Sequence, residues 1–469
     1  MKREQVRGGW IKYGLLVLLA AASAAGGWYF STGPTSSSAP PSGAESSVPD
    51  APNVHRFPLS AADVKDTNEA PTLAADAAGR VFLAWASKTG DRERTVFFTR
   101  TTDSGRMFDA PHTISKGGIY RSRSSENGKI VGYERRAVPH LATAADRLEL
   151  SWSEAPADGS GITLRLATSA DAGRTFAAPV SVPHLDGMRT TFTDMASGPN
   201  GALACCWLGD RNGAQQPYAA VRPAGATAFE TEQVVYLGQN GKGVCPCCPT
   251  AVGFAPDGTL YVAYRNVNDG YRDIAIGRLR PGQTAFEGPF SVVSNTWKFD
   301  GCPHDGPSLV VIGDDIHVTW MDARNGPQRA YHARAKCADM IFSARELNPA
   351  GPGTQGNARL FKDAAGGLHV VWEESLGAES TADEHSGHRH APVVPKPGAG
   401  GGRAIQYATM APGATAFGQP RAVAPRAGAF QTRPALVTTS DGSVFVAWNE
   451  LDESGKVVVV TRLARGVNP

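Results

Sequence analysis

Residues 70–85 read APTLAADAAGRVFLAW, residues 248–264 read CPTAVGFAPDGTLYVAY, and residues 433–448 read RPALVTTSDGSVFVAW. Each stretch is a Pro-containing apolar run, a Gly/Asp turn, and a second apolar run that closes on an aromatic residue. Seven such units end on Trp85, Trp152, Trp207, Tyr264, Trp320, Trp372 and Trp448, and those from Trp152 to Trp320 follow one another at about 56 residues. Apolar runs bounded by turn residues predict paired strands. A fixed period of this length predicts an all-β repeat architecture, a β-propeller of four-stranded blades. In a propeller the loops of all blades converge on one end of one channel, so the chemistry has to be sought at that end.

A second element follows each unit. TTDSGRMF spans residues 101–108 and SADAGRTF spans residues 169–176, with shorter relatives ending at Phe229, Phe286, Phe342 and Phe417. Asp and Gly make a tight hairpin turn, because Gly accepts positive φ and Asp bonds its own backbone. The aromatic residue is expected to pack between blades. SADAGRTF matches the pattern Ser-x-Asp-x-Gly-x-Thr-aromatic in full, and TTDSGRMF has Met107 in place of its Thr and Thr101 in place of its Ser. On these motifs the chain resembles the sialidase-like, Asp-box (BNR-repeat) propellers over residues 55–465. In that family the box is a structural turn remote from the active end.

The repeat assigns strands a to d to each blade, from the centre outward. Six units are complete, and the seventh ends at strand c, residues 456–464. Residues 55–60, HRFPLS, can supply its missing outer strand, which would remove two exposed sheet edges. Seven blades are therefore expected, closed by an N-terminal strand. The enzymes of the resembled family usually have six, which stands as the alternative. Insertions at residues 112–137 and 376–403 fall at the end opposite the Asp boxes, and loops gathered on one face mark a working face.

Lys and Arg number 46 against 44 Asp and Glu, for a net charge of +2. That balance, with no phosphate-binding Gly loop and no basic aromatic stripe, argues against nucleotide or nucleic-acid partners. At the N-terminus Lys2, Arg3, Arg7 and Lys12 precede an apolar stretch from Tyr13 to Phe30. Residues 1–30 are thus a signal peptide, with a cleavage site at Ala22-Ser23-Ala24, or an uncleaved membrane anchor with Trp28 and Tyr29 at the far interface. Residues 31–54 form a Ser/Pro-rich linker, and residues 55–469 form the propeller. The expected location is the cell envelope or periplasm.

Arginine is the chemistry the resemblance implies: sialidases clamp a substrate carboxylate with three arginines, whose planar forks bind it bidentately. They add a Tyr/Glu nucleophile pair and an acid/base Asp. Arg433 before Pro434 and Arg136 ahead of Pro139 resemble the family's Arg-Ile-Pro motif imperfectly. Arg211, Arg265, Arg272 and Arg324 follow strand b, with Asp273 and Asp322 beside them. Structural ion pairing is the competing reading for each of these arginines. No Tyr/Glu pair maps onto the chain; Tyr120, Tyr264 and Tyr271 are the available tyrosines, and Asp194, Asp210, Glu373, Glu374 and Glu450 are further acids.

The seven cysteines are Cys205, Cys206, Cys245, Cys247, Cys248, Cys302 and Cys337. VCPCCPT and DGCPHDGP each precede strand a in neighbouring blades, so Cys245, Cys247, Cys248, Cys302 and His304 should crowd one sector of the working face. Two readings stand: a disulfide from Cys302 to a CPCC cysteine that pins the blades, or a thiolate/imidazole site suited to Cu(I) or Zn. Cys205 and Cys206, adjacent in strand b, should point to opposite faces. The stretch DEHSGHRH adds His385, His388 and His390 as a weaker metal-gathering loop.

Two functions follow as expectations. One is an Arg/acid-lined pocket for an acidic glycan, extending to exo-sialidase-type hydrolysis. The other is a non-catalytic envelope propeller that binds a metal or an envelope protein.

Overall fold

The computed structural model describes residues 54–58, 70–89, 93–102, 106–118, 121–126, 129–134, 138–155, 162–182, 189–210, 213–301, 303–375, 402–452 and 455–463. The N-terminal segment, all of the linker but Val54, and nearly all of the His-rich insertion lie outside them. Among the described residues no helix is long and apolar enough to cross a membrane.

The architecture is nearly all-β and built of four-stranded antiparallel sheets, a propeller-like fold. In the first sheet Thr72–Ala75, Val81–Lys88, Glu93–Arg100 and His112–Gly118 pair in that order as strands a to d. The second is His140–Ala144, Arg147–Glu154, Thr163–Ser169 and Val180–Ser181, and the third is Thr191–Ser197, Leu203–Gly209, Gln216–Arg222 and Gln233–Val234. The fourth is Ala251–Phe254, Leu260–Arg265, Ile274–Leu279 and Glu287–Ser291, and the fifth is Ser308–Ile312, Asp315–Asp322, Arg329–Lys336 and Ser343–Glu346. The sixth is Gln355–Lys362, Leu368–Ser375, Arg403–Met410 and Arg421–Ala422. Phe430–Thr438, Val444–Asp452 and Gly455–Leu463 follow as the seventh, joined to the sixth by one parallel bridge between Arg403 and Phe430.

Strand a of each sheet lies against strand a of the next, and that of the seventh lies against that of the first. The apolar cores sit between sheets. Phe82, Phe98, Leu150 and Trp152 join the first and second; Trp207 and Tyr218 pack with Leu164 and Leu166 between the second and third. Ile276, Val318 and Trp320 join the fourth and fifth, and Leu73, Trp85, Phe445 and Val460 join the seventh and first. Strand b is buried on both faces, which explains its continuous apolar run. Cys205 and Cys206 show the consequence: both are fully buried, one in the core toward the second sheet and the other in the core toward the fourth.

The turn at residues 169–175 is built from side chains that stand in for backbone partners. The Gly173 amide donates to Ser169 Oγ at 2.8 Å, and Thr175 donates its amide and hydroxyl to the two Asp171 oxygens at 2.8 and 2.7 Å. Those bonds, the Thr175 amide first and its hydroxyl second, hold the Asp171 carboxyl down at about 2. Gly173 has φ of 79°, and a Cβ there would strike Phe98 of the first sheet. Phe176 meets the same Phe98 edge-on at 5.1 Å, so the aromatic closing the turn packs between sheets as expected.

Residues 112–118 are the outer strand of the first sheet rather than part of an insertion. Among the described residues of this stretch, Arg121–Glu126 and Lys129–Glu134 stand outside the repeat, as a separate hairpin. The outer strand has no aromatic terminus, so the repeat pattern does not mark it.

Val54–Pro58 pairs antiparallel with the last strand, from Val54 against Thr461 to Pro58 against Val457. Phe57 lies 5.2 Å from Trp85 and 5.9 Å from Phe108, both on the first sheet, while Arg56 reaches the buried Glu450 at 2.6 Å. Deletion of residues 54–58 should therefore uncover the Gly455–Leu463 edge, lower the midpoint of thermal unfolding and promote aggregation. Deletion of residues 31–48 should leave melting unchanged. Equal melting of the two truncations would overturn this account.

His317 Nδ1 and His332 Nε2 lie 3.0 Å apart inside the fifth sheet, with Phe417 edge-on to His332 at 5.1 Å. Burial first, then the positive Arg334, lowers His317 to about 4; burial and the neighbouring His317 lower His332 to about 3. Both rings are neutral in the fold, while in the unfolded chain they take up protons near the ordinary histidine value of about 6.5. The unfolded state therefore binds more protons below that value. Stability present at neutral pH is lost as pH falls toward 4 and 3, by up to about 1.4 kcal/mol per pH unit per histidine. Melting curves from pH 7.5 to 4 should show a shallower decline for His332→Gln than for the wild type. Parallel declines would reject the role of the pair.

Candidate functional site

The connections into strand a and out of strand b share one end of the sheets, because the two strands are antiparallel neighbours. The registers show it: Gln355 opposes Glu374, and Gln431 opposes Glu450. Three a strands open on a bulge there, between Thr191 and Asp194, Gly356 and Arg359, and Thr432 and Ala435. Inside these bulges Phe192, Asn357 and Arg433 have φ of 54°, 48° and 54°, each fifteen residues ahead of the tryptophan that closes the unit. Left-handed conformations on non-glycine residues are strained, and bulges re-aim side chains beside functional sites.

Cys245, Cys247 and Cys248 form the densest group of reactive side chains at this end. Their sulfurs all lie within 4.8 Å of one another, with Cys245 Sγ 3.6 Å from each of the other two. The Cys245 amide donates to the Arg265 carbonyl at 3.0 Å, so the CPCC turn is anchored to the end of strand b in the fourth sheet. Phe192 and Val267 wall the group. The Cys247 and Cys248 thiols, and then Arg272 and Arg265, hold the Cys245 thiol well below its ordinary value against the effect of burial. Burial pushes Cys248 the other way.

The 303–306 segment does reach this sector: the chain at Gly306 runs against Pro249 with no space for a Cβ. His304, at φ of 55°, stands outside the sulfur group. Cys302 lies outside the described residues, as do Arg136, Arg211, Tyr120, His385, His388 and His390. Cys337 sits at the c-to-d turn of the fifth sheet, where its carbonyl accepts from Arg278 at 2.7 Å.

The arginines divide by what they touch. Arg265 is fully buried and donates to the carbonyls of Asp305, Arg272 and Met321, with Trp297 5.4 Å from its guanidinium carbon. It braces the fourth sheet against the fifth. Arg324 forks onto Asp322 and lies over the Tyr331 ring at 4.3 Å. Arg272 gives its Nε to the Phe299 carbonyl at 3.1 Å, and its two terminal nitrogens have no partner among the described residues. Asp273 holds the 296–297 backbone and the Thr296 hydroxyl. Arg433 is half-buried in its bulge. No single clamp of three open arginines gathers here among the described residues.

The acids at the ends of strand b have a common role that sequence reading missed. Trp152, Trp320, Trp372 and Trp448 donate their indole N–H to the carboxylate two residues on, Glu154, Asp322, Glu374 and Glu450, at 2.8 to 3.2 Å. Trp-x-acid recurs four times in the sequence, and the recurrence was the available signal. Glu450 is fully buried and also accepts from Arg56, Arg426 and Gln431. Burial would raise its carboxyl, but the bonds from Arg56, Gln431 and Trp448 outweigh it and leave the carboxyl below the ordinary value.

A second acidic feature joins the fifth and sixth sheets. Asn357 donates its amide to Asp305 Oδ2 at 2.6 Å and its side-chain nitrogen to Glu373 Oε1. Both carboxylates are buried, and Asp305 Oδ1 and Glu373 Oε2 have no partner among the described residues. Burial lifts the Asp305 carboxyl above the usual range, against the pull of Arg359 and Arg265. Asp305 escaped the sequence reading because it lies beside the conspicuous cysteine and histidine of DGCPHDGP.

No protein-family model matches the chain, and no curated protein matches it in sequence. Solved structures do resemble it. An ulvan lyase from a new polysaccharide-lyase family is 9% identical with a TM-score of 0.50, over 85% of this chain and 91% of the lyase. A Hadza microbial sialidase is 13% identical with a TM-score of 0.46, over 67% of this chain and 65% of the sialidase. The leech intramolecular trans-sialidase is 11% identical with a TM-score of 0.44, over 86% and 69%. At these identities the likeness concerns the propeller-like fold alone.

Replacing Glu450 by Ala would leave the buried Trp448 and Gln431 without this acceptor and release the half-exposed Arg56 and Arg426 to solvent. The expected loss is about 1–3 kcal/mol in chemical denaturation, as for leaving buried hydrogen-bonding groups unsatisfied. Glu154→Ala, at a more exposed position, should lose clearly less. Losses of equal size would refute the burial argument.

Proposed function

We propose that the chain is an exported, seven-bladed sialidase-like propeller that binds a soft metal ion at its loop-bearing end without catalysing glycoside hydrolysis. The seven-blade count rests on the unbroken cycle of strand-a contacts, and closure rests on the pairing of Val54–Pro58 with the last strand. Export and envelope attachment rest on the basic, then apolar, residues 1–30. The observation that carries the function is the sulfur triad of Cys245, Cys247 and Cys248, three buried donors within 4.8 Å of one another. Thiolates gathered in this way are ligands for Cu(I) or Zn.

Acidic-glycan recognition is a second reading, favoured by Arg272, whose terminal nitrogens are open at the same end. The ulvan lyase was also solved bound to a GlcA-containing oligosaccharide. Arg265 and Arg324 already hold carbonyls and a carboxylate, which weakens this reading for catalysis.

Reduced full-length protein should take up one equivalent of metal, measured by elemental analysis after desalting. Cys247→Ser should lose that metal while keeping its β-sheet circular dichroism. Protein without metal uptake would overturn the proposal. Turnover of a sialoside by the wild type, abolished in Arg272→Ala, would replace it with the glycan reading.

A further inference from the structure

We infer that the ion selected by Cys245, Cys247 and Cys248 is monovalent copper, held by three thiolates, in preference to zinc. This rests on the reading of the triad as a metal centre, and three features of the site narrow the ion.

The first is the donor set. It is all sulfur, and among the described residues no further Cys, His, Asp or Glu ligand atom joins the group. Zinc in structural sites completes a tetrahedron, and in open sites it keeps a water in the fourth position. Soft thiolates suit Cu(I) as well as zinc, and Cu(I) needs no fourth ligand.

The second is the wall. The three cysteines are at most 5% exposed and pack against Phe192 and Val267. The carbonyl of Phe192 is already taken by the Thr250 amide and hydroxyl at 3.1 and 2.8 Å. The surroundings therefore favour a dry, low-coordinate ion over one that carries solvent.

The third is charge. Three thiolates and one Cu(I) leave two negative charges, and a buried charge has to be matched. The Cys245 amide donates to the Arg265 carbonyl at 3.0 Å, and Arg265 in turn donates to the Arg272 carbonyl at 2.7 Å, so both arginines lie in this sector. Arg265 is pinned by backbone carbonyls of two sheets, so its charge is fixed in place. The two arginines offset negative charge at the cysteines. Binding adds Cu(I) and releases the thiol protons to solvent, with no change of oxidation state.

The test uses reduced full-length protein handled without oxygen and titrated with Cu(I) against a chromophoric Cu(I) chelator, then with Zn(II) against a zinc chelator. One Cu(I) per chain should bind, with a near-ultraviolet thiolate-to-copper band, and should survive an excess of Zn(II) of about a hundredfold. Cys245→Ser and Cys248→Ser should each weaken Cu(I) binding by roughly a hundredfold or more. Should a variant misfold, alkylation of the wild type followed by peptide mapping serves instead: Cu(I) should protect Cys245, Cys247 and Cys248 together, and Zn(II) should not. Preferential zinc binding or protection would overturn the copper assignment and leave the metal centre standing. Protection by neither ion would overturn both. Equal loss of copper in Cys302→Ser would overturn the three-coordinate site.

Discussion

Each sheet in this protein has two apolar faces and can bury them only against its neighbours. That constraint governs the rest of the structure. The a strands pack in sequence, the cores lie between sheets, and the tryptophan closing most b strands is buried where two sheets meet. A fully buried indole must also find an acceptor for its N–H, because an unpaired polar group away from water is penalised. In four units the acceptor is the acid two residues on. Trp85 and Trp207 lack that acid, and their indole nitrogens have no acceptor among the described residues. The repeat is thus regular in its apolar positions and variable in its polar ones, which leaves individual sheets free to diverge at the loop-bearing end.

That divergence sets up the site. Where most units place an indole and an acid, the fourth sheet has Tyr264 followed by Arg265, and the segment entering it carries the CPCC turn. Arg265 braces two sheets through backbone carbonyls, and in doing so places a fixed positive charge beside three sulfurs. The arrangement follows the general rule that buried charge is either paired or neutralised. Here one arginine both braces the fold and stands beside the cysteine cluster. The bulges at Phe192, Asn357 and Arg433 add local strain at the same end, and Phe192 supplies part of the wall around the cysteines.

Much of the fold was legible in the chain itself. The spacing of Trp85 through Trp448 marks the units, and the apolar run of each b strand reflects burial on both faces. The pairing of Val54–Pro58 with the last strand was legible because a missing outer strand at one terminus needs a partner from the other. The outer strand at His112–Gly118 was not, since half-exposed edge strands carry little apolar pattern. The crowding of Cys245, Cys247 and Cys248 was readable from their adjacency. The roles of Arg265, Asp322, Glu374 and Glu450 were not, because residue type alone does not distinguish a channel-facing charge from one that satisfies a buried indole or carbonyl.

The sequence by itself determined the inner strands, their order and the end at which loops gather, because hydrophobic period and turn chemistry act locally along the chain. Only the tertiary structure decided which arginines are committed to carbonyls and carboxylates, that Asp305 and Glu373 meet through Asn357, and that His304 stands apart from the sulfurs. Those outcomes depend on side-chain direction across sheet boundaries. A bulge of one residue, as at Asn357, turns a side chain to a different neighbour without altering the apolar pattern from which strands are read.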